Sequence, residues 1–274
     1  MNVKCIALDL DDTLLKNTKE ISEKNREALD YCLKQGVQVV IASGRAFGSL
    51  PKSATEIPGI TYAITSNGAG IYNVKEKTCL MRNCMEKEAV KKLLQIIREE
   101  ISVYEVFVEG IPYASADYVE DPVKFGAYAH SIEYVKRTRK PVEDLDAFVL
   151  KNVDRMESMD LIVPELQKKQ EVWKRVEREV PGIYSTSSLP HLIEISHENS
   201  GKHTALQFLL KKWGISPQET AAFGNGDNDW EMLQLVKYGI AVENASDKCK
   251  EAAWAVTASN EEDGVASAIW KYLA

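Results

Sequence analysis

The sequence predicts an α/β protein: a doubly wound parallel sheet with an inserted α+β domain. Three observations point there. Short, wholly apolar runs such as Ile6-Ala7-Leu8 read as strands buried on both faces, the kind found inside parallel sheets. In the first and last thirds of the chain such runs alternate with amphipathic stretches, the rhythm of strand–helix–strand units with right-handed crossovers. The middle differs in texture, mixing half-exposed strands with charged helices.

Taken in order, the first strand spans 3–9 and ends abruptly in Asp9-Leu10-Asp11-Asp12. A helix follows near 21–35. Ile21, Ala28, Leu29, Cys32 and Leu33 give it an apolar stripe, and Gly36 gives it a stop. Residues 37–42 form a second buried strand ending at Ser43-Gly44-Arg45. Residues 62–65 form a third, ending at Ser66-Asn67-Gly68, where Asn67-Gly68 reads as a structural turn. A helix is expected over 86–100 and a half-exposed strand over 103–108. A loop rich in Pro, Gly and Tyr is expected from 110 to about 126. Asp160 to Val163 reads as a strand, and Pro164 as the first turn of a charged helix reaching Val180. The α/β rhythm then resumes with a strand at 192–195, a helix at 202–213 stopped by Gly214, and a strand at 220–223 leading into Gly224-Asn225-Gly226-Asp227-Asn228-Asp229. Short strands follow at 239–242 and 253–256. Trp213, Trp230, Trp254 and Trp270 are expected to pack core helices, and His130, His191 and His197 to lie at the surface or in the inserted domain.

The bulk numbers exclude several classes. With 274 residues, 45% hydrophobic and 27% charged, the chain can bury a sizeable core in one large domain or two smaller ones. A net charge of −7 argues against a general nucleic-acid or membrane surface, but not against an anionic substrate held by a local cation. Five cysteines without a C-x-x-C pair, and four scattered histidines, speak against a disulfide scaffold or a zinc site. No signal pattern opens the sequence, and no stretch approaches the roughly 20 apolar residues of a membrane span. A cytoplasmic protein is expected. The sequence does not give its oligomeric state.

A buried strand ending in three carboxylates places charge where it is costly. A shared cation, or an acid that stays protonated, makes such a cluster tolerable, and both suit phosphoryl chemistry. In open parallel sheets ligands bind beyond the carboxyl ends of the strands. Three strands here end in small or polar residues: at Asp9-Leu10-Asp11, at Ser43-Gly44 and at 224–229. As neighbours they would form one site of carboxylates, amides and a hydroxyl, with glycines admitting backbone N–H groups to an anion. A carboxylate can attack phosphorus, a second acid can serve the leaving oxygen and then water, and a lysine can hold the remaining charge. Gly201-Lys202-His203-Thr204 is not a phosphate loop of the GxxxxGK[ST] type, because Ser196 and His203 stand where Gly and Ser or Thr are required. The 224–229 loop lacks the spaced acids and closing Glu of a calcium loop. Arg45 either pins the loop that follows it or reaches the inserted domain or substrate.

The segments Asp9-Leu10-Asp11-Asp12-Thr13, Ser43-Gly44-Arg45, Lys202 and 224–229 occur in the order found in the haloacid dehalogenase superfamily, which the chain resembles over nearly its whole length. The insertion between the second and third motifs, and the run from Ala222-Phe223-Gly224 to Met232-Leu233, are similar to its Cof-type sugar-phosphatase branch. The resemblance implies a Rossmann-like catalytic core, 1–83 and 191–274, with a mobile cap at 84–190 that closes over the site and selects the leaving group. It implies an Mg²⁺-dependent phosphatase acting on a small phosphorylated metabolite, with a phosphosugar as the class, through an aspartyl-phosphate. Asp9 is then the nucleophile and a metal ligand. Asp11 is the acid/base, and its backbone carbonyl ligates Mg²⁺. Ser43, the Leu10 and Gly44 amides and Asn228 hold phosphate. Lys202 pairs with phosphate and with Asp9, and Asp229 supports the metal's water shell. One position departs from the pattern: the loop usually begins Gly-Asp, and here it begins Gly224-Asn225. Asn225 keeps an oxygen ligand but loses its charge, so weaker Mg²⁺ binding is expected, and a register in which Asp227 takes over stays open. A phosphomutase on the same scaffold, or a phosphometabolite-binding regulator with weakened catalysis, are the rival functions.

Overall fold

The computed structural model describes residues 3–101, 103–128 and 131–274. It divides into two compact units. One comprises Met1–Gly44, Leu50–Met81 and Gly201–Ala274, the other Arg45–Ser49 and Arg82–Ser200. Along the chain run β1 (Cys5–Leu8), β2 (Gln38–Ala42), β3 (Tyr62–Thr65), β4 (Gly70–Asn73) and β5 (Thr78–Arg82). Then come β6 (Tyr104–Val108), β7 (Ile111–Ser115), β8 (Lys140–Val142), β9 (Met156–Ile162), β10 (Ile183–Thr186) and β11 (Leu192–His197). Last are β12 (Thr220–Gly224), β13 (Tyr238–Ala241) and β14 (Ala255–Val256). No helix among the described residues is long and apolar enough to cross a membrane.

The first unit is built on a sheet ordered β14-β13-β12-β1-β2-β3-β4-β5 among the described residues. Its strands are parallel from β14 to β3, and β4 turns back antiparallel. The apolar runs owe their character to two-sided cover. Ile6, Leu8, Val39 and Ile41 face a cluster containing Ala28, Leu29 and Ile269, while Ala7, Val40 and Ala42 face Leu206, Leu209 and Met232. Fully burying one such leucine contributes about 1.5–3 kcal/mol. The helix Glu23–Lys34 starts where Ser22 accepts a hydrogen bond from the Asn25 amide, at 3.1 Å, and Gly36 follows it at φ 81°. The helix Lys202–Trp213 ends at Gly214 in the left-handed region. Trp254 and Trp270 are exposed rather than packed under helices. Their rings lie instead against Tyr238 and Tyr272, and against Tyr31.

The second unit carries the sheet β10-β11-β9-β6-β7-β8 among its described residues. The expected boundary at 190/191 is displaced. Leu192–His197 pairs antiparallel with β9 and β10, so this strand belongs here and not to the parallel sheet; the division falls at 200/201. Residues 82 and 83 and the short segment 45–49 join it as well. The expected loop after 110 instead contains a strand and the helix Ala116–Glu120. Glu109 and Gly110, both at positive φ, turn the chain so that β7 pairs with β6. The charged helix runs Leu166–Glu179, so Pro164 precedes its N-cap, Glu165.

The strand β6 is buried throughout, not half-exposed. Its Val106 and Val108 join a core with Val90, Leu93 and Val172. Its Glu105 stands in a buried row with Asp160 and Glu194, set by the registers Glu105↔Asp160 and Glu194↔Asp160. Arg139 donates to Glu105 Oε2 at 2.7 and 2.9 Å, and Ser158 Oγ donates to Asp160 Oδ1 at 2.7 Å. Burial, then the Glu194 carboxylate, hold the Asp160 carboxyl well above its usual range, with Ser158 acting the other way. An acid with a raised folded value contributes stability that is present below its unfolded value and lost as pH rises through the folded one. Asp160→Asn is expected to flatten this loss and raise the unfolding temperature on the alkaline side. Thermal melts of both proteins at a series of pH values above the ordinary carboxylate range read it. A variant that keeps the wild-type slope would locate the dependence elsewhere.

Candidate active site

The first unit assembles the site from the ends of adjacent strands. The Asp9 amide donates to Phe223 O at 3.1 Å, which sets the tip of β1 beside the loop that begins at Gly224. On the other side, β1 pairs with β2, which delivers Ser43, and the Ser43 amide donates to Ile64 O at 2.9 Å. The backbone after Asp9 turns sharply, with Asp12 at φ 56°.

Lys202, the first residue of its helix, has a fully buried side chain. Its Nζ lies 2.7 Å from Asp9 Oδ1 and 2.7 Å from Asp229 Oδ1. Burial opposes the lysine's charge, but Asp229 and Asp9 together outweigh it, so its pKa is raised. Asp9 feels the reverse balance. Burial first, then Asp229, push its carboxyl up to about 7 against the pull of Lys202. Among the described residues only Lys202 bonds the Asp9 carboxyl, through Oδ1, which leaves Oδ2 without a protein donor. Asp229 is fully engaged: its Oδ2 accepts the Asn225 and Gly226 amides, both at 3.0 Å.

Asn225 faces the same turn. Thr13 Oγ1 donates to its Oδ1 at 2.9 Å. Asp227 is turned aside, its Oδ1 accepting from Ser246 Oγ at 2.6 Å. Asn228 is buried and donates through Nδ2 to Asn67 Oδ1 at 2.9 Å. Asp11 is partly exposed, with Lys19 Nζ 3.2 Å from its Oδ1. Leu10 is buried and Gly44 half-buried. Asp9, Lys202, Asp229, Asn225 and Thr13 thus form one bonded network, while Ser43 and Asn228 join through Asn67. Thr13, Lys19 and Asn67 are the members that sequence reasoning assigned no role here. Arg45 does two things within the second unit: its Nη1 donates to Ser49 O at 3.1 Å, and its guanidinium lies over the Tyr134 ring. His191 is buried and His197 half-buried in that unit, whereas His130 lies outside the described residues.

These features define a hydrolase of the class the sequence resembles. The chain belongs to the haloacid dehalogenase-like hydrolase family, whose model matches residues 6–269. Within it the chain is a Cof-type phosphatase. It is 30% identical to the Bacillus subtilis (strain 168) 5-amino-6-(5-phospho-D-ribitylamino)uracil phosphatase YwtE, over 96% of each chain. It is also 30% identical to phosphatase YwpJ of the same organism, over 96% of this chain and 98% of that one. A solved structure of a haloacid dehalogenase-like hydrolase from B. subtilis superposes with a TM-score of 0.84 at 28% identity, covering 99% of this chain and 100% of that one.

Proposed function

We propose that the chain is an Mg²⁺-dependent phosphatase that releases phosphate from a small phosphorylated metabolite of the sugar-phosphate class, through an aspartyl-phosphate. The observation that carries this reading is the buried ammonium of Lys202 held between two carboxylates, 2.7 Å from each, with Asp9 keeping one oxygen free of protein donors. A pure binding protein has no need of such an arrangement facing an anion. The relative YwtE, named for a 5-phospho-D-ribitylamino compound, supports a phosphate ester on a polyol chain as the substrate class. We place the enzyme in the cytoplasm, in keeping with five cysteines that form no disulfide.

Asp9 Oδ2 attacks phosphorus as the bond from phosphorus to the ester oxygen breaks, and the Asp11 carboxyl gives its proton to the departing oxygen. Asp11 then takes a proton from water. The water oxygen attacks phosphorus, the bond to Asp9 breaks, and inorganic phosphate leaves. Lys202, the Ser43 hydroxyl, the Leu10 and Gly44 amides and Asn228 bind the phosphoryl oxygens and hold them in line. The second unit selects the leaving group.

The donor set fits a hard divalent cation. It offers oxygen atoms only: the Asp9 carboxylate, the Asp11 backbone carbonyl and Asn225 Oδ1. Among the described residues no group of three or more His, Cys, Asp or Glu side chains is disposed to hold a metal. A few protein ligands suffice for Mg²⁺, which keeps several waters. When bound it would offset the repulsion between the attacking carboxylate and the phosphoryl group. Asp229, with both oxygens occupied, would act on that water shell through its charge. The Thr13–Asn225 bond and the Ser246–Asp227 bond support Asn225 over Asp227 as the ligand.

Phosphate release from a panel of phosphorylated metabolites, with and without Mg²⁺, tests the function. Inorganic phosphate should accumulate only with the cation present, whereas transfer to a second hydroxyl of the substrate would make the enzyme a mutase. In the same assay Asn225→Asp should lower the half-saturating Mg²⁺ concentration by about tenfold, because it adds a charged ligand. Equal requirements in the two proteins would refute the ligand assignment.

A further inference from the structure

The turn Ser66–Gly68 matches none of the motifs that carry the chemistry, yet it touches three of them. Asn67 is buried, at φ 50° and ψ 36°. Its amide donates to Ser43 O at 3.2 Å, and its carbonyl accepts the Gly201 amide at 2.8 Å. Its side-chain Oδ1 accepts from Asn228 Nδ2 at 2.9 Å. One residue therefore bonds the loops that present Ser43, Lys202 and Asn228. The seating is close: a Cβ on Gly68, itself at φ 90°, would lie 2.1 Å from Gly201 O.

We infer that Asn67 is a positioning residue for the phosphatase reaction, one that fixes which end of the Asn228 amide faces the phosphoryl group. An asparagine amide presents a donor at one end and an acceptor at the other, in nearly the same shape. Turned the wrong way, Asn228 would aim a carbonyl oxygen at an anion. The Asn67 carbonyl oxygen can only accept, so it holds the Asn228 amino group on its own side. One N–H of Nδ2 is spent on Asn67, and the second remains for a phosphoryl oxygen. The backbone bonds of Asn67 set the distances from Ser43 and from the start of the Lys202 helix to that same amide. This rests on the proposed function, since the residues that Asn67 positions are the ones that reading assigns to the phosphate.

The left-handed backbone at Asn67 suggests the variant to use. Glycine adopts it without strain, so Asn67→Gly deletes the side chain and leaves the turn. With a wild type that hydrolyses p-nitrophenyl phosphate in Mg²⁺, Asn67→Gly should lower kcat/KM by about tenfold to a hundredfold, the usual range for an orphaned buried hydrogen bond. Asn228→Ala should lower it at least as far, and the double variant no further than Asn228→Ala alone. Asn67→Asp, which tolerates the same backbone and keeps an acceptor for Asn228 but adds a negative charge near the anion, should raise KM while holding kcat closer to wild type than Asn67→Gly does. Thermal melts separate these effects from lost folding. Multiplicative losses in the double variant, or wild-type kinetics in Asn67→Gly, would overturn the inference and leave the proposed function standing. A wild type that releases phosphate from no ester would remove both.

Discussion

Asp9→Asn is expected to reduce phosphate release by roughly 10⁴-fold or more, the scale on which removal of a covalent nucleophile acts. The same variant is expected to fold as well as the wild type, and the reason lies in the charge balance at the tip of the first strand. Two carboxylates share one buried ammonium, so the metal-free site carries an excess negative charge in a place water hardly reaches. Burial and Asp229 already push the Asp9 carboxyl up to about 7. An asparagine there keeps an oxygen for Lys202 and removes the excess charge. Its folded state loses nothing as pH rises through that value, whereas the wild type loses stability across that interval, because its folded form holds a proton that the unfolded chain has released. Near neutral pH and without cation, the variant should therefore melt at or above the wild-type temperature while its turnover collapses. Phosphate release and thermal melts on the same preparation check both halves. Turnover that survives the substitution unchanged would eliminate the covalent route.

The legible part of this site is its strand ends. An apolar run stopping at Asp9, another at Ser43 and a third at Gly224 have few uses in a parallel sheet other than a shared crevice, and β12, β1 and β2 do stand side by side. Lys202 was readable only through the order of the motifs, since a lysine at a helix start is ordinarily solvated. Its burial depends on two acids drawn from segments 193 and 27 positions away. Asn67 escaped for a similar reason. A polar turn after a strand is common, and its three bonds run to segments that only the finished fold brings near. The signal that was present is Asn67-Gly68 itself, a pair suited to consecutive left-handed residues.

The misplaced strand carries a clearer lesson. The strand expected at 192–195 in the parallel core is Leu192–His197 of the second unit, and its pattern is Ile193 and Ile195 inward with Glu194 and Ser196 between them. That is the period-two signature of an antiparallel sheet with one apolar face. The core strands lack it, because helices cover both their faces. The same alternation in β6 suggested half-exposure, and here the sequence could not decide. Glu105 is buried because Arg139, thirty-four positions later, supplies its counter-charge.

Lys202→Met is expected to be the most destabilising single change at the site. The side chain is fully enclosed and is the cation that both Asp9 and Asp229 bond directly. Removing one partner of a buried ion pair costs about 3–5 kcal/mol, because the remaining charge has neither water nor a counter-ion. For a protein of this size that lowers the unfolding temperature by roughly 10 °C. Activity should fall as well, by on the order of 10²–10³-fold, with loss of a charged donor to the phosphoryl oxygens. A drop in activity alone would not distinguish a poorly folded enzyme from one lacking its electrostatic partner, so the informative comparison adds Asp229→Asn. In the double variant one acid remains, and it can stay protonated. The neutral asparagine still offers an oxygen in place of Oδ2 to the Asn225 and Gly226 amides. Stability should recover by most of the lost amount, while activity stays low because the ammonium is still missing. If Lys202→Met melts at the wild-type temperature, the two 2.7 Å contacts contribute little to the fold. If the double variant recovers turnover together with stability, the lysine serves the fold alone and phosphate charge must be held by other groups.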